Sequence, residues 1–161
     1  MTASVSIRVY TATDAGTESA AVTGLDMLSA DNATNSLANR QANPITAGNK
    51  SYEKWIKAYV DTAADNQVDT FQVWGDGAVQ SSTALYIGKT ATGVTPTSGD
   101  SAVATNAFTT YTSGNKFAWH ATAMTGAGSK SDFAVLQLDC DADAVAGNWG
   151  QETLNYSYSE T

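Results

Sequence analysis

The chain has 161 residues, a formal net charge of −8 at pH 7 and a charged fraction of only 15%. Its length predicts one domain, over residues 1–161, that buries about 70% of the unfolded chain's surface. The acidic balance argues against nucleic acid or an anionic membrane as a partner, because both attract clustered Lys and Arg. Threonine, serine, alanine, asparagine and glycine replace charges, and such short neutral side chains suit a surface that packs into an assembly.

The sequence also limits targeting and cross-linking. Its start lacks the basic and apolar regions of a signal peptide, and it has no apolar run of about 20 residues that could span a membrane. We therefore expect a protein that is made without secretion. A single cysteine, Cys140, has no disulfide partner within the chain, so the fold must depend on its core.

Alternating apolar residues predict a first strand over residues 4–11. The alternation then stops over residues 13–50, apart from one short apolar element at 22–28 and room for a short helix at 29–40. A stretch of about 40 residues is too long for an ordinary connection. We expect residues 12–49 to form either an extended arm, laid over a neighbouring subunit, or short edge strands.

Two further strands with a polar turn between them are interpreted as a hairpin. Over residues 54–60, Trp55 and Tyr59 point away from the small apolar residues of the strand. Over residues 68–74, Trp74 likewise lies opposite the apolar face. Because alternate residues of a strand face opposite sides, this hairpin predicts a sheet whose second face is rich in aromatic residues and serves as a contact surface.

Short strands separated by glycine-rich turns complete the pattern. They are predicted over residues 84–87, 108–111, 117–122, 133–138 and 153–158. With no helical period, the chain is predicted to be all-β, a single β-sandwich of the jelly-roll or immunoglobulin-like type with a long irregular N-terminal segment. The predicted core consists of Val5, Ile7, Val9, Ile56, Val60, Phe71, Val73, Leu85, Ile87, Val135 and Leu154.

No segment has the pattern of a catalytic site. His120, the only histidine, would need a nucleophile and an orienting carboxylate close by in space. Neither a serine nor a cysteine lies in a Gly-x-Ser-x-Gly turn, so we interpret His120 as a structural or interface residue. The glycines at 75–77 and 126–128 lack the lysine and helix of a phosphate loop and indicate turns. We predict no catalytic residue and no enzymatic activity.

The acidic run Asp139–Asp143 has carboxylates at alternate positions, as at the start of an EF-hand calcium loop. The sixth position of such a loop would be Ala144, where glycine is needed, and the twelfth would be Gly150, where a glutamate is needed. Glu152 lies two residues too far along. We predict a solvated acidic turn without metal or cofactor, with a calcium site in a β-loop as the alternative. One cysteine and one histidine are too few for structural zinc.

Aromatic and basic residues are the remaining candidates for binding. Tryptophan can stack on sugars, but in a small β-domain it is more typical of a core or an interface. The tryptophans are Trp55, Trp74, Trp119 and Trp149. The nearest approach to a basic patch, interpreted as a solvated strand face, is Lys50, Lys54 and Lys57.

Two segments of the sequence carry a family resemblance. The first is residues 43–57, Asn-Pro-Ile-Thr-Ala-Gly-Asn-Lys-Ser-Tyr-Glu-Lys-Trp-Ile-Lys, with the strand pair after it. The second is residues 151–161, Gln-Glu-Thr-Leu-Asn-Tyr-Ser-Tyr-Ser-Glu-Thr. Both resemble small structural proteins of tailed bacteriophages, in which a Tyr-Glu-Lys-Trp segment opens a strand and an aromatic strand precedes a short acidic tail. The resemblance implies a virion component without an enzymatic role.

Within that class, the small size, the few charges and the neutral loops favour a capsid decoration (cement) protein, which stabilises the outer shell by protein–protein contacts. We then expect the protein to be located in the virion and to bind the major capsid protein or other virion proteins, as a homo-oligomer in the assembly. A neck or tail component of the virion is the alternative. A carbohydrate-binding or adhesin module is the second alternative.

Overall fold

Two antiparallel sheets form the fold in a computed structural model, which describes residues 2–62, 67–76, 79–145 and 152–161. The larger sheet has the spatial order β2 (Thr17–Val22), β1 (Ser4–Thr11), β3 (Lys54–Thr62), β8 (Phe133–Cys140), β5 (Thr83–Thr90) and β6 (Asn106–Ala107). The smaller has the order β7 (Phe117–His120), β4 (Val68–Trp74) and β9 (Asn155–Glu160). One α-helix, α1 (Leu37–Ala42), and two 3-10 helices, Thr13–Ala15 and Phe108–Thr110, complete the described elements. The predicted all-β sandwich is confirmed.

The main core lies between the two sheets. It is built from the inward faces of β3 and β4 and is closed by Trp119 of β7, which is fully buried. Phe71 packs edge-on against Trp119 and is stacked with Tyr158 of β9, with ring centroids 6.2 and 5.4 Å apart. Most of the predicted core is confirmed as buried: Val9, Ile56, Val60, Phe71, Val73 and Ile87 lie in this core, and Val135 lies in the second core described next. The rest is half-buried against the main core: Val5, Ile7, Leu85 and Leu154.

A second, smaller core lies on the opposite face of the larger sheet. There Phe133 packs edge-on against both Tyr10 and Trp55, with centroids 5.2 Å apart in each pair. Residues 91–105, the loop after β5, cover this cluster through Val103 and Ala104. The aromatic second face, predicted as a contact surface, is therefore partly core. Alternation shows that a strand has two faces, but it does not show whether a distant loop covers the second one.

The predicted hairpin of β3 and β4 is wrong, because the two strands belong to different sheets. β3 pairs with β1 and β8, whereas β4 pairs with β7 and β9. The chain thus crosses from one layer of the sandwich to the other between them, through a predicted turn that lies partly outside the described residues. Two strands that face each other across a core show the same alternation as two strands that pair, so the sequence pattern suited both arrangements.

Residues 12–49 pack on their own sandwich, and of the two predicted forms the edge strand is the one observed. They contribute β2, which pairs with β1, and α1, whose N-cap Ser36 accepts a hydrogen bond from the Asn39 N–H. Between them the chain covers the main core through Leu25, Met27 and Ala33, which pack against it, and Leu28 is buried nearby in sequence. The Leu28 carbonyl also accepts a hydrogen bond of 2.8 Å from the Tyr52 N–H.

Residues 108–111 form a 3-10 turn and not the predicted edge strand. Only Asn106–Ala107, just before them, pair with β5. Phe108 is buried, and its ring lies so close to Gly75 that a Cβ there would come within 2.8 Å of it. The turn is closed by a 2.8 Å hydrogen bond from the Thr110 hydroxyl to the Ala107 carbonyl. Insertion of one aromatic side chain into the core therefore overrides the strand propensity of this segment.

Candidate interaction surfaces

His120 ties β7 to the residue that precedes β8. Its Nδ1 lies 3.1 Å from the Asp132 backbone N–H and 3.0 Å from the Asp132 carboxylate. The neighbouring Trp119 indole donates a 2.9 Å hydrogen bond to the Asp132 carbonyl. The nearby Ser131 hydroxyl is engaged as well, since it accepts from the Ala58 N–H and donates to the Asp132 carbonyl. These contacts give His120 and Ser131 structural roles.

The acidic run after β8 is divided between a strand end and a turn. Asp139 forms an ion pair with Lys50, and this hydrogen bond raises the Lys50 pKa. Cys140 is buried, unpaired and the last residue of β8. The Ala144 N–H closes the turn on the Asp141 carbonyl at 3.1 Å. Within the described ranges, no three His, Cys, Asp or Glu side chains gather as metal ligands, and the predicted twelfth loop position at residue 150 lies outside those ranges.

The three lysines at positions 50, 54 and 57 do not form the predicted solvated strand face. Lys54 is 1% exposed, faces the main core and donates from its ammonium to the Asn32 carbonyl. Lys57 lies on the other face of β3, 4.0 Å from the centroid of the Phe133 ring. Lys50 precedes the strand and pairs with the acidic run. Residues an odd number of positions apart on a strand point to opposite faces, and Lys54 and Lys57 are three positions apart. Closeness in sequence therefore does not bring these charges together.

The tryptophans occupy positions of different kinds. Trp55 and Trp119 are fully buried, one in each core, as the core interpretation predicts. Trp74 is half-buried, and the Lys116 ammonium lies 4.3 Å from its ring centroid. Trp149 lies outside the described residues. The two buried indoles are unavailable as platforms for a sugar.

The Tyr-Glu-Lys-Trp segment joins the sandwich to both of its irregular segments. Glu53 is 2% exposed and accepts hydrogen bonds from the Trp55 indole at 2.8 Å and from the Thr97 N–H at 3.3 Å. The Glu53 N–H in turn donates to the Thr97 carbonyl at 2.9 Å. Glu53 therefore fixes the 91–105 loop, while Lys54 reaches the opposite side of the sheet and holds Asn32. Part of the sequence resemblance thus coincides with a structural junction.

Basic and aromatic side chains gather on the outer face of β1–β3, although the chain as a whole is acidic. The Arg8 guanidinium lies 3.3 Å from the Tyr59 ring centroid, in the position of a cation–π contact. Glu18 of β2 accepts hydrogen bonds from Arg8 at 2.6 Å, from the Tyr10 hydroxyl at 2.5 Å and from Lys130. We call this set the Glu18 face. Its members are Arg8, Tyr10, Glu18, Lys57, Tyr59 and Lys130.

Glu18 is the electrostatic centre of this face. Partial burial alone would raise its pKa, but hydrogen bonds from Lys130, Tyr10 and Arg8 outweigh that effect and hold the Glu18 pKa at about 2. Burial and the bond to Glu18 raise the Tyr10 pKa. The Glu18 and Arg8 side chains are each 21% exposed, and Lys130 is 41% exposed. The face is thus ordered by its own charges. Tyr10 is buried where the face adjoins the second core, whereas Arg8, Glu18 and Lys130 remain open to a partner.

The sequence did not reveal the Glu18 face. Strand β2 lacks the apolar alternation that marks β1, because its sequence, Thr-Glu-Ser-Ala-Ala-Val, contains one large apolar residue. Arg8 and Glu18 meet through the pairing of β1 with β2, and Lys130 arrives from a turn 112 residues away from Glu18 in the chain. If β2 were predicted as a strand next to β1, Glu18 on one strand and Arg8 on the other would indicate an ion pair. That is the one signal of this face in the sequence.

Comparison with known proteins assigns no family: no family model matches the chain, and neither a curated protein nor a solved structure matches it. Among the described residues, no helix has the length and apolar character needed to cross a membrane.

Proposed function

We propose that this protein is a structural component of a tailed-bacteriophage virion, and that it decorates the outer surface of the capsid. The sequence resemblance of residues 43–57 and 151–161 supports the virion. The observation that carries the decoration role is the Glu18 face, an ordered set of basic and aromatic side chains on an otherwise acidic chain.

Residues of this type suit protein–protein contacts. Tyr and Arg are enriched among the residues that dominate binding energy, because they combine a large apolar area with polar ends. On the Glu18 face they are held in place before binding: Arg8 is fixed by Glu18 and by the Tyr59 ring. Because these side chains are already ordered, they lose little further conformational entropy when a partner covers them, which favours affinity.

Charge plays a smaller part in the proposed binding. The positive groups of the face are largely compensated by carboxylates: Glu18 pairs with both Arg8 and Lys130, and Asp61 also pairs with Arg8. Together with Lys57, three cations thus face two carboxylates, and little net charge remains to steer a partner. Binding through burial of such groups depends less on ionic strength than binding between exposed charges. We therefore expect capsid binding to persist at moderately raised salt.

The test is a binding experiment with undecorated capsids of the phage that encodes this chain, over a salt series. Lys130→Glu places a second carboxylate beside Glu18 and should weaken binding at least about tenfold, equivalent to about 1.4 kcal/mol. Lys116→Glu is the matched control, because it makes the same charge change beside an aromatic ring, Trp74, on the other sheet. It should bind as the wild type does.

Each outcome has a definite meaning. Binding by the wild type and the Lys116 variant, but not by the Lys130 variant, supports decoration through the Glu18 face. Equal binding by all three removes this face from the mechanism. Wild-type protein that binds no capsid at any salt contradicts the decoration role, and the neck or tail alternative is then tested by the same assay with purified tails.

A further inference from the structure

Of the strands that the structure describes, four lie at the edges of the two sheets, and three of these four carry a feature that hinders pairing with another chain. β6 has only two residues. The carbonyl of Ala118 on β7 is occupied by the Lys89 ammonium at 2.7 Å. β2 carries the charged Glu18, and its register with β1 is interrupted between Arg8 and Tyr10.

Strand β9 has none of these features. Its six residues, Asn-Tyr-Ser-Tyr-Ser-Glu, include no lysine and no proline, and the only charged one is Glu160 at its end. The register shift in its pairing with β4 falls on β4, where Thr70 has a φ of 52° and Phe71 is the extra residue opposite Tyr158. The free edge of β9 is therefore regular over its whole length.

The hydrogen bonds at one end of β9 show which backbone groups face outward. Gln67 and Thr161 exchange both N–H···O=C bonds, at 3.0 and 3.1 Å. Since this pattern alternates along an antiparallel strand, the backbone N–H and C=O groups of Ser159 and Ser157 also point toward β4. The N–H and C=O groups of alternate residues face away: Tyr156, Tyr158 and Glu160. Within the described parts of the chain, these outward groups have no hydrogen-bond partner.

We propose that β9 pairs antiparallel with β9 of a second copy of this chain, about a two-fold axis at Tyr158. Pairing in this register uses every outward-facing residue of the strand and joins the two three-stranded sheets into one continuous sheet. The backbone groups that now face outward would then be satisfied. The interface is isologous, so it closes at a dimer and does not continue into a fibre.

The chemistry of the strand favours a second copy as the partner. The two-fold axis places Tyr156 opposite Glu160 of the partner subunit, so the only charge in the strand meets a neutral residue. Ser157 lies opposite Ser159 of the partner subunit on the solvent face, and both side chains are short. Two chains that each carry a charge of −8 thus meet along an almost neutral strand.

The inference is tested by sedimentation velocity of the purified protein over a concentration series, without capsids. In the proposed register Ser157→Lys/Ser159→Lys places like charges directly opposite each other, whereas Ser157→Glu/Ser159→Lys places opposite charges there. Both variants carry Lys at position 159, beside Asp69 of β4, and differ only at position 157. Ala20→Lys/Ala21→Lys, on the exposed edge strand β2, is the control for the added positive charge.

We expect a concentration-dependent dimer for the wild type. The two-lysine β9 variant should raise the dimer dissociation constant at least about tenfold, the Glu/Lys variant should restore it, and the β2 control should leave it unchanged. Thermal melts confirm that each variant is folded. A wild type that stays monomeric up to about 1 mM, a two-lysine variant that dimerises normally or a Glu/Lys variant that fails to restore pairing would overturn the inference. None of these results depends on capsid binding.

Discussion

Glu53 and Lys54 are adjacent in the chain, both are buried, and each holds one irregular segment on its own side of the larger sheet. Glu53 accepts hydrogen bonds from Trp55 and from the backbone of Thr97, in the loop that covers the second core. Lys54 donates to the Asn32 carbonyl, in the segment that covers one end of the main core. Consecutive strand residues face opposite sides of a sheet. Glu53 therefore holds the 91–105 loop on one face of the larger sheet, and Lys54 holds the segment around Asn32 on the other.

The first prediction concerns Glu53. Glu53→Ala leaves the Trp55 indole and the Thr97 N–H without their buried acceptor, which should cost about 2–3 kcal/mol of unfolding free energy in urea denaturation. Glu53→Gln keeps an acceptor oxygen and should cost less than half as much. Hydrogen exchange should rise in the 91–105 loop and remain low in residues 25–43. Uniform exchange throughout the chain would contradict a local role for this side chain.

The second prediction concerns Lys54, whose loss should loosen the opposite segment, residues 25–43, and not the 91–105 loop. Burial lowers the Lys54 pKa, while the charges of Asp31 and Asp26 oppose that shift. Lys54→Met keeps most of the packing of the stem but removes the donor to Asn32 and the cation near both aspartates. It should cost about 1–3 kcal/mol. Hydrogen exchange should rise in residues 25–43 and not in the 91–105 loop, so that the Glu53 and Lys54 variants serve as controls for each other.

The sequence predicted individual strands better than their arrangement. Strands β1 and β4 begin and end where the alternation of apolar residues does, because each has one apolar face on the main core. Alternation contains no information about the partner of a strand, and so the pattern of β3 and β4 predicts a hairpin although the two strands face each other across the core. The second core was also hidden, since the loop that buries Trp55 is rich in Thr, Ser and Gly.

The candidate surfaces were even less visible in the sequence. The Glu18 face depends on β2, which has almost no large apolar residues, and on a turn that brings Lys130 to Glu18. The open edge of β9 depends on which strand ends a sheet, a property of topology. His120 was different: its interpretation as a structural residue required only that it lie in a strand, and its contacts with Asp132 agree with that interpretation.

The third prediction follows from the low pKa of Glu18. In the unfolded chain this carboxyl group has its ordinary pKa of 4.5, and in the folded protein the pKa is about 2. The unfolded state therefore binds the proton more tightly, so the contribution of Glu18 to stability is complete above about pH 4.5 and is lost as the pH falls through about 2. We expect the unfolding free energy of the wild type to fall in this window.

Glu18→Gln should make that decline shallower, because the glutamine does not titrate. Urea denaturation at a series of pH values measures the effect. Asp100→Asn is the control: it also removes a carboxylate, but from a side chain that is 92% exposed, and its curve should run parallel to that of the wild type. Parallel curves for all three proteins would show that Glu18 does not stabilise the fold through its charge.

The last prediction tests how closely the 91–105 loop lies on the larger sheet. Gly88 of β5 faces this loop, and a Cβ added there would lie 1.7 Å from the Val103 carbonyl oxygen and 2.5 Å from its carbon. Both are backbone atoms and no side-chain rotation relieves such a contact, so Gly88→Ala must displace the loop or the strand. We expect a loss of about 3 kcal/mol or more, at the upper end of overpacking costs, or a melting temperature lower by about 6–12 °C.

Gly114→Ala is the matched control, since a Cβ at Gly114 meets no atom within 4 Å and its φ lies outside the left-handed region. The same methyl group should therefore leave the melting temperature unchanged or raise it slightly, by restricting the unfolded chain. Limited proteolysis should cut the 91–105 loop faster in Gly88→Ala than in Gly114→Ala, because the loop can no longer lie against β5. If Gly88→Ala were as stable and as resistant as its control, the loop would not be seated on this strand in solution.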